Sequence, residues 1–374
     1  MLTDNQIRWL IDNSVVEISH FPTEKQFQPA SFDWRIGAVE IFDDNTIYKN
    51  QLEYLRLFSE GPKADESYGD FINYIDDSVG NLPRIIETLD KDKPFVLESG
   101  QKAIFYSLEQ FDIPDGLFLF SELRSSNGRR GLSPVGDLVQ NLSYDGRVQM
   151  SIVNKNTNPL RFYGGDRFAQ LFFEPADKLS NIPCAQLLGE EGIRTLISEG
   201  LLEVSPDVVI HNDQLVFTCS DTALSFKKEL GTIDTREKYE DDVLYDKINL
   251  SEVYKLKEEN LLVVKLEQYL KLSNQVGILL KLSQSLNDGY LHDYKAGLNI
   301  NHIFNHKVGA GWVDPGYEGQ VTIHDWTHFV NLLVEGKAVM TGIVYYFPEP
   351  VGNSYGFDGL GSHYKNNGSI TASV

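Results

Sequence analysis

The chain has 374 residues, with 54 acids against 33 bases and a formal charge of −21 at neutral pH. That balance leaves no broad basic face, so general affinity for nucleic acid or an anionic membrane is not expected. With 41% hydrophobic and 23% charged residues the composition is that of a globular protein, and the length suggests two domains.

The opening, MLTDNQIRWLIDNS, lacks the basic start and apolar core of a signal peptide. It reads as a short helix capped at Thr3, with Ile7, Leu10 and Ile11 on one face. No apolar run reaches membrane-spanning length, and a cytoplasmic location is expected. Further helical periodicity is confined to NQLEYLRLF (50–58), DFINYIDDSVGNLPRIIETL (70–89) and GEEGIRTLISEGL (189–201). The remainder alternates or forms short apolar runs punctuated by Gly, Asn and Asp, as in RVQMSIVN, FAQLFFEP, QVTIHDW and TGIVYYF. These are strand patterns, so the chain reads as mainly β with a few short helices. Cys184 and Cys219 have no metal-type spacing, and neither a disulfide framework nor a zinc cluster is expected.

The chain also repeats itself. YSLEQFDIPDGLFLFSEL (106–123) resembles VKLEQYLKLSNQVGILLKL (264–282), and SYDGRVQMSI resembles GYEGQVTIHD. The second match aligns Tyr144 with Tyr317 and Gly146 with Gly319. GGDRFAQLFFEP and EGKAVMTGIVYYFPEP close the two copies. Three matches in order point to a duplicated β-domain, with the division between Pro175 and Ser205. The expected domains are residues 1–185 and 186–374.

One stretch runs against the acidic average. LRSSNGRRGL (123–132) holds Arg124, Arg129 and Arg130 with Ser125 and Ser126. It reads as a turn after the strand GLFLFSEL. Guanidinium forks, hydroxyls and free N–H groups are the donors that phosphate oxygens need. A solvated basic turn has the same composition. The second copy offers only LKLSQSLND at the corresponding place, with no arginine. Conversely, GWVDPGYEG in the second copy makes a tight Pro-Gly hairpin presenting Asp314 and Tyr317 together, whereas the first copy reads NLSYDG, with Asn141 in place of the acid.

RSSNGRRGL resembles the arginine–serine–serine motif of the dCTP deaminase family, part of the trimeric dUTPase superfamily. FQPASFDWRIG (27–37), FVLESGQKAIFYSLEQFDIPDGL, GWVDPGYEGQVT (311–322) and YGFDGLGSHYKNNGSITAS (355–373) resemble its other segments in family order. The resemblance covers most of the chain, and fused double-length members of the family resemble its layout. It implies two tandem dUTPase-like domains of β-clip, distorted jelly-roll type. It also implies phosphate contacts from Ser125, Ser126 and Arg129, with Arg124 beside them and Gln170 supporting the nucleotide. Arg130 reads as a surface residue. Tyr317 and Gly319 of the hairpin, and His363 and Tyr364 of the C-terminal lid, are implied on the sugar and base side. Asp314 is implied to bond the 3′-hydroxyl or to position a water.

The implied activity is deamination of dCTP to dUTP and ammonia, with Mg²⁺ carried on the triphosphate, in a homo-oligomer. The family's catalytic Glu stands seven residues after the hairpin aromatic. Here that count reaches Ser151 and His324, with Asp325 adjacent to the latter and a second catalytic candidate should a bulge bring it to the same face. His324 can shuttle protons near neutral pH. A dUTP or dCTP diphosphatase using Asp314, and a catalytically inactive nucleotide-binding homologue, are the other expectations. Because each copy keeps what the other lost, one composite site per chain is expected. The insertions at 45–92 and 284–303 have no reading.

Overall fold

The computed structural model describes residues 1–41, 85–135, 139–140, 144–175, 182–205, 208–255, 262–282, 311–325, 332–333, 335–336 and 338–355. Helix α1 (Asp4–Asp12) begins at Thr3, whose hydroxyl accepts from the Gln6 backbone N–H while Gln6 returns a bond to the Thr3 N–H. This capping box satisfies two amides that a helix start leaves free. Ile7 and Leu10 are buried as expected.

Five strands build the first half: β1 (Ser31–Ile41), β2 (Lys102–Ser107), β3 (Leu117–Leu123), β4 (Gln149–Asn154) and β5 (Arg167–Pro175). All neighbours are antiparallel, in the order β3-β5-β1-β2-β4. Five strands build the second half: β6 (Gln214–Phe226), β7 (Leu262–Leu272), β8 (Val276–Leu282), β9 (Glu318–Asp325) and β10 (Ala338–Tyr346). Their order is β8-β10-β6-β7-β9, which repeats the first with each label raised by five.

The duplication extends to detail. Tyr317 donates its hydroxyl to the Gln320 carbonyl at 2.9 Å, and Tyr144 bonds the Arg147 carbonyl in the same way. Each is followed by a glycine with φ near +146°, Gly146 at 145° and Gly319 at 147°.

Alternation along the strands sends one face of each sheet into its own core. Phe32, Trp34, Phe105 and Phe168 are fully buried in the first half, and Phe217, Leu266, Ile278 and Val344 in the second. Each such side chain contributes about 1.5–3 kcal/mol through burial. The halves are not insulated from one another. Ile233–Asp234 adds a parallel strand beside Leu160–Phe162, and Phe226, Ile233, Leu244 and Tyr245 belong to the first core.

Two local expectations change. Ile85–Thr88, read as the end of a helix, is a strand paired antiparallel to β1. The β-branched run Ile85-Ile86 suits a strand, and pairing with β1 decides the ambiguity that the apolar pattern left. The basic segment, read as a turn, is a five-residue helix, α2 (Ser125–Arg129). The helix expected at 189–201 is present as α3 (Glu190–Ser198). The segment 50–58 lies outside the described residues.

Candidate active site

The outward face of the first sheet is where the two halves meet. In β3, Leu117, Leu119 and Ser121 point to the core, and Phe118, Phe120 and Glu122 alternate with them. In register, Glu122 stands opposite Gln170 of β5, and Gln170 stands opposite Asp33 of β1. Directly opposed side chains in antiparallel strands lie about 4.5–5.5 Å apart, so Glu122, Gln170 and Asp33 form one cross-strand row. Two residues along, Phe120 and Phe172 stack at 4.8 Å, and Phe172 meets Trp312 of the second half edge-on at 5.8 Å. The contact thus has an aromatic part and an acidic part.

The second half supplies Asp314, 8% exposed, to the acidic part. Trp312 Nε1 donates to Asp314 Oδ1 at 3.1 Å, which holds the carboxyl in place. Gly311, at φ +60°, brings its backbone against the first sheet, and a Cβ there would stand 3.1 Å from Glu122 Oε2. The torsion favours glycine, and a side chain there would press on the Glu122 carboxyl.

Burial dominates the electrostatics. It raises the Glu122 carboxyl to about 7. It also raises Asp314 to about 7, helped by the charges of Asp33 and Glu122 and opposed by the Trp312 hydrogen bond. Asp33 is pushed up by burial and pulled back by two guanidiniums. Arg124 Nε lies 3.0 Å, and Arg167 Nη1 3.2 Å, from its Oδ2. Its Oδ1 is buried without a hydrogen-bond donor.

Arg124 also opens α2, which lies against β9 of the second half. Ser125 is exposed and Ser126 half-buried, so both hydroxyls are reachable. Arg129 is buried and donates from Nη2 to Ser125 Oγ at 3.1 Å. Arg130, expected at the surface, is 8% exposed, and donates to Asn127 Oδ1 at 3.0 Å and to the Thr235 carbonyl at 2.7 Å. The helical turn swings it inward, beneath the 233–235 segment. Behind α2 a cleft of about 180 Å³ is lined by Arg124, Ser126, Arg130, Arg167, Arg236 and Asp166, among others.

The other expected residues are placed as follows. Gln170 donates to Ser31 Oγ at 3.2 Å. Tyr317 is buried and packs on Tyr355 at 5.3 Å. Ser151 pairs with Ile104, and the backbones of His324 and Asp325 pair with Val263 and Leu262. The side chains of His324 and Asp325, and the whole of Asn141, His363 and Tyr364, lie outside the described residues. Among the described residues no group of three His, Cys, Asp or Glu could hold a metal ion, and no helix is long and apolar enough to cross a membrane.

Asp33, Glu122 and Arg167 were not singled out from sequence, although Glu122 carried a signal. It occupies the same strand face as Phe118 and Phe120, where an acid has to be buried against something.

Residues 1–176 match the family model described as dCTP deaminase-like. The first half is thus similar to a dCTP deaminase-like domain. Its similarity extends to proteins named dCTP deaminase, dUMP-forming. That of Methanosphaera stadtmanae is 26% identical over 184 residues, spanning 49% of this chain and 83% of the relative. That of Persephonella marina is 29% identical over 181 residues, spanning 47% and 87%. The similarity of fold continues beyond this domain. The crystal structure of a 2′-deoxycytidine 5′-triphosphate deaminase from Agrobacterium tumefaciens superimposes with a TM-score of 0.67 at 17% identity, covering 96% of this chain and 98% of that one. The tandem layout is therefore a shared fold.

Proposed function

We propose that the chain is a hydrolase that deaminates dCTP at one composite site formed between its halves. The observation that carries this reading is the meeting of Asp314 with the Glu122–Gln170–Asp33 row beside Arg124, Ser125 and Ser126. The guanidiniums and hydroxyls take the triphosphate, with its Mg²⁺ arriving as part of the substrate. The hairpin around Asp314 and Tyr317 takes the sugar, and the acidic row faces the base. Because acids and cations sit side by side, a molecule with an anionic tail and a basic, protonatable ring nitrogen is the complementary ligand.

The name of the sequence relatives, dUMP-forming, favours a second step. A dUMP-forming enzyme also hydrolyses the bond that releases diphosphate, a step that needs an oriented water beside the α-phosphate. Incubation with dCTP separates the readings. Ammonia with dUTP supports deamination alone, and ammonia with dUMP and diphosphate supports both steps. Diphosphate without ammonia supports a diphosphatase, and binding without turnover a nucleotide-binding homologue. Chains with this fold are expected to associate symmetrically, which light scattering checks.

A further inference from the structure

Neither half has a Glu where the family resemblance implies the proton carrier, since Ser151 of the first and His324 of the second stand at the counted positions. A deaminase without that group still needs one. Adding water to C4 of cytosine and expelling ammonia requires two proton movements.

We propose that Glu122 of the first half, acting with Asp314 of the second, is the acid/base that carries those protons. This rests on the deamination reading above. Glu122 is 5% exposed and is the last residue but one of the strand that leads directly into Arg124-Ser125-Ser126. The carboxylate is therefore two residues from the motif that holds the phosphates, on the face that meets the second half. Gly311 sets the second-half backbone against its Oε2, and Trp312 aims Asp314 from the same side.

A second feature points to a ligand. Asp33, fully buried in the same row, leaves Oδ1 without a donor while both neighbouring guanidiniums crowd Oδ2. A protonated nitrogen or an exocyclic amine supplies what that oxygen lacks.

Two carboxyls in one buried contact do not both ionise at neutral pH, so one is base while the other holds a proton. The ionised member takes a proton from water as the oxygen–C4 bond forms, and the proton passes to N3. The second proton of the water passes through the pair to the exocyclic nitrogen, the C4–N4 bond breaks, and ammonia leaves. Both water protons end on N3 and on ammonia, the pair returns to its starting state, and no oxidant or reductant enters. The charged and titratable groups around the pair are Asp33, Arg124 and Arg167 on the first sheet and Tyr345 on β10, whose hydroxyl is raised to about 12 by burial, Glu174 and Glu122.

The test compares wild type, E122Q and E122D for ammonia release from dCTP and for dCTP affinity, each across pH 5–9. E122Q is expected to lower kcat by about 10²–10⁴-fold, the usual worth of a positioned acid/base, with Kd changed by less than about threefold. E122D should recover part of the rate, with a displaced acid limb of the pH profile. Wild-type kcat in E122Q overturns the assignment of Glu122 and leaves deamination standing. Equal loss of kcat and affinity in both variants overturns it too, by making Glu122 structural. No ammonia from the wild type overturns the deamination reading and this assignment together.

Discussion

The two halves set the same five strands in the same order, yet load equivalent positions with opposite chemistry. In the first half one cross-strand row reads Glu122–Gln170–Asp33. In the second the corresponding row reads Lys281–Thr341–Val216. Burial acts on both ends of this contrast. It raises Glu122, and it lowers Lys281 from the ordinary lysine value. Duplication preserved what packs, namely alternation, strand order and the tyrosine-glycine hairpin. The polar outer row, which core packing does not dictate, diverged. In sequence the arginine-serine motif stands only in the first half and the Asp-Pro-Gly hairpin only in the second, which is the pattern the proposal of one composite site rests on.

The contrast can be broken most forcefully at Arg124. Replacing it by Met leaves buried Asp33 with one guanidinium instead of two. Stripping a partner from a fully buried pair costs about 3–5 kcal/mol, and because Arg124 is partly exposed a loss nearer 2 kcal/mol is expected in urea unfolding. Affinity for dCTP should fall with it. Unchanged stability and affinity would remove the first half's claim to a special row.

The next effect is a pH dependence. Glu122 binds a proton more readily folded than unfolded, because its folded value is about 7 against 4.5 for the free side chain. Folding therefore takes up a proton between those values, and stability falls as pH rises through that window, then levels. Asp314, also raised to about 7, acts in the same direction. Wild type should lose on the order of 1–3 kcal/mol between pH 5 and pH 8. E122Q should show a flatter curve and be the more stable protein at pH 8. A curve for E122Q that superimposes on wild type would contradict the burial of this carboxyl.

Smaller differences sharpen the comparison. Gln170→Ala should weaken dCTP binding by about 1 kcal/mol, the worth of one hydrogen bond, whereas Thr341→Ala at the equivalent position should not. Equal effects would mean that both rows bind nucleotide. Least of all, Lys281→Met should raise stability by less than about 1 kcal/mol, because it removes a charge that burial disfavours. Loss of stability there would show that Lys281 is paired favourably.

Much of this was legible before the structure. Strand alternation located β4, β5, β9 and β10, and the repeat followed from LEQ and the Tyr-x-Gly matches. The basic motif drew attention to Arg124, Ser125 and Ser126, and the structure sets Arg124 against Asp33. What escaped depends on contacts between distant segments. Arg130 is indistinguishable from a surface arginine until the 233–235 strand is seen to cover it. Ile85–Thr88 carries an ambiguous apolar run that pairing with β1 decides. Glu122 and Asp33 lie in segments dominated by core residues, and only the register across β3, β5 and β1 shows that they share a row with Gln170. Asp314 was visible as a hairpin acid, but its partner on the other half was not.

The central claim is one composite site per chain, and binding stoichiometry tests it most directly. Full-length protein should be titrated calorimetrically with a non-hydrolysable dCTP analogue, with wild type, Arg124→Met and Asp314→Asn in parallel. The account predicts one site per chain in the wild type, and weakening of that same single site by either substitution, although the two residues lie in different halves. Two equal sites per chain, or loss of only half the binding capacity in each variant, would contradict it.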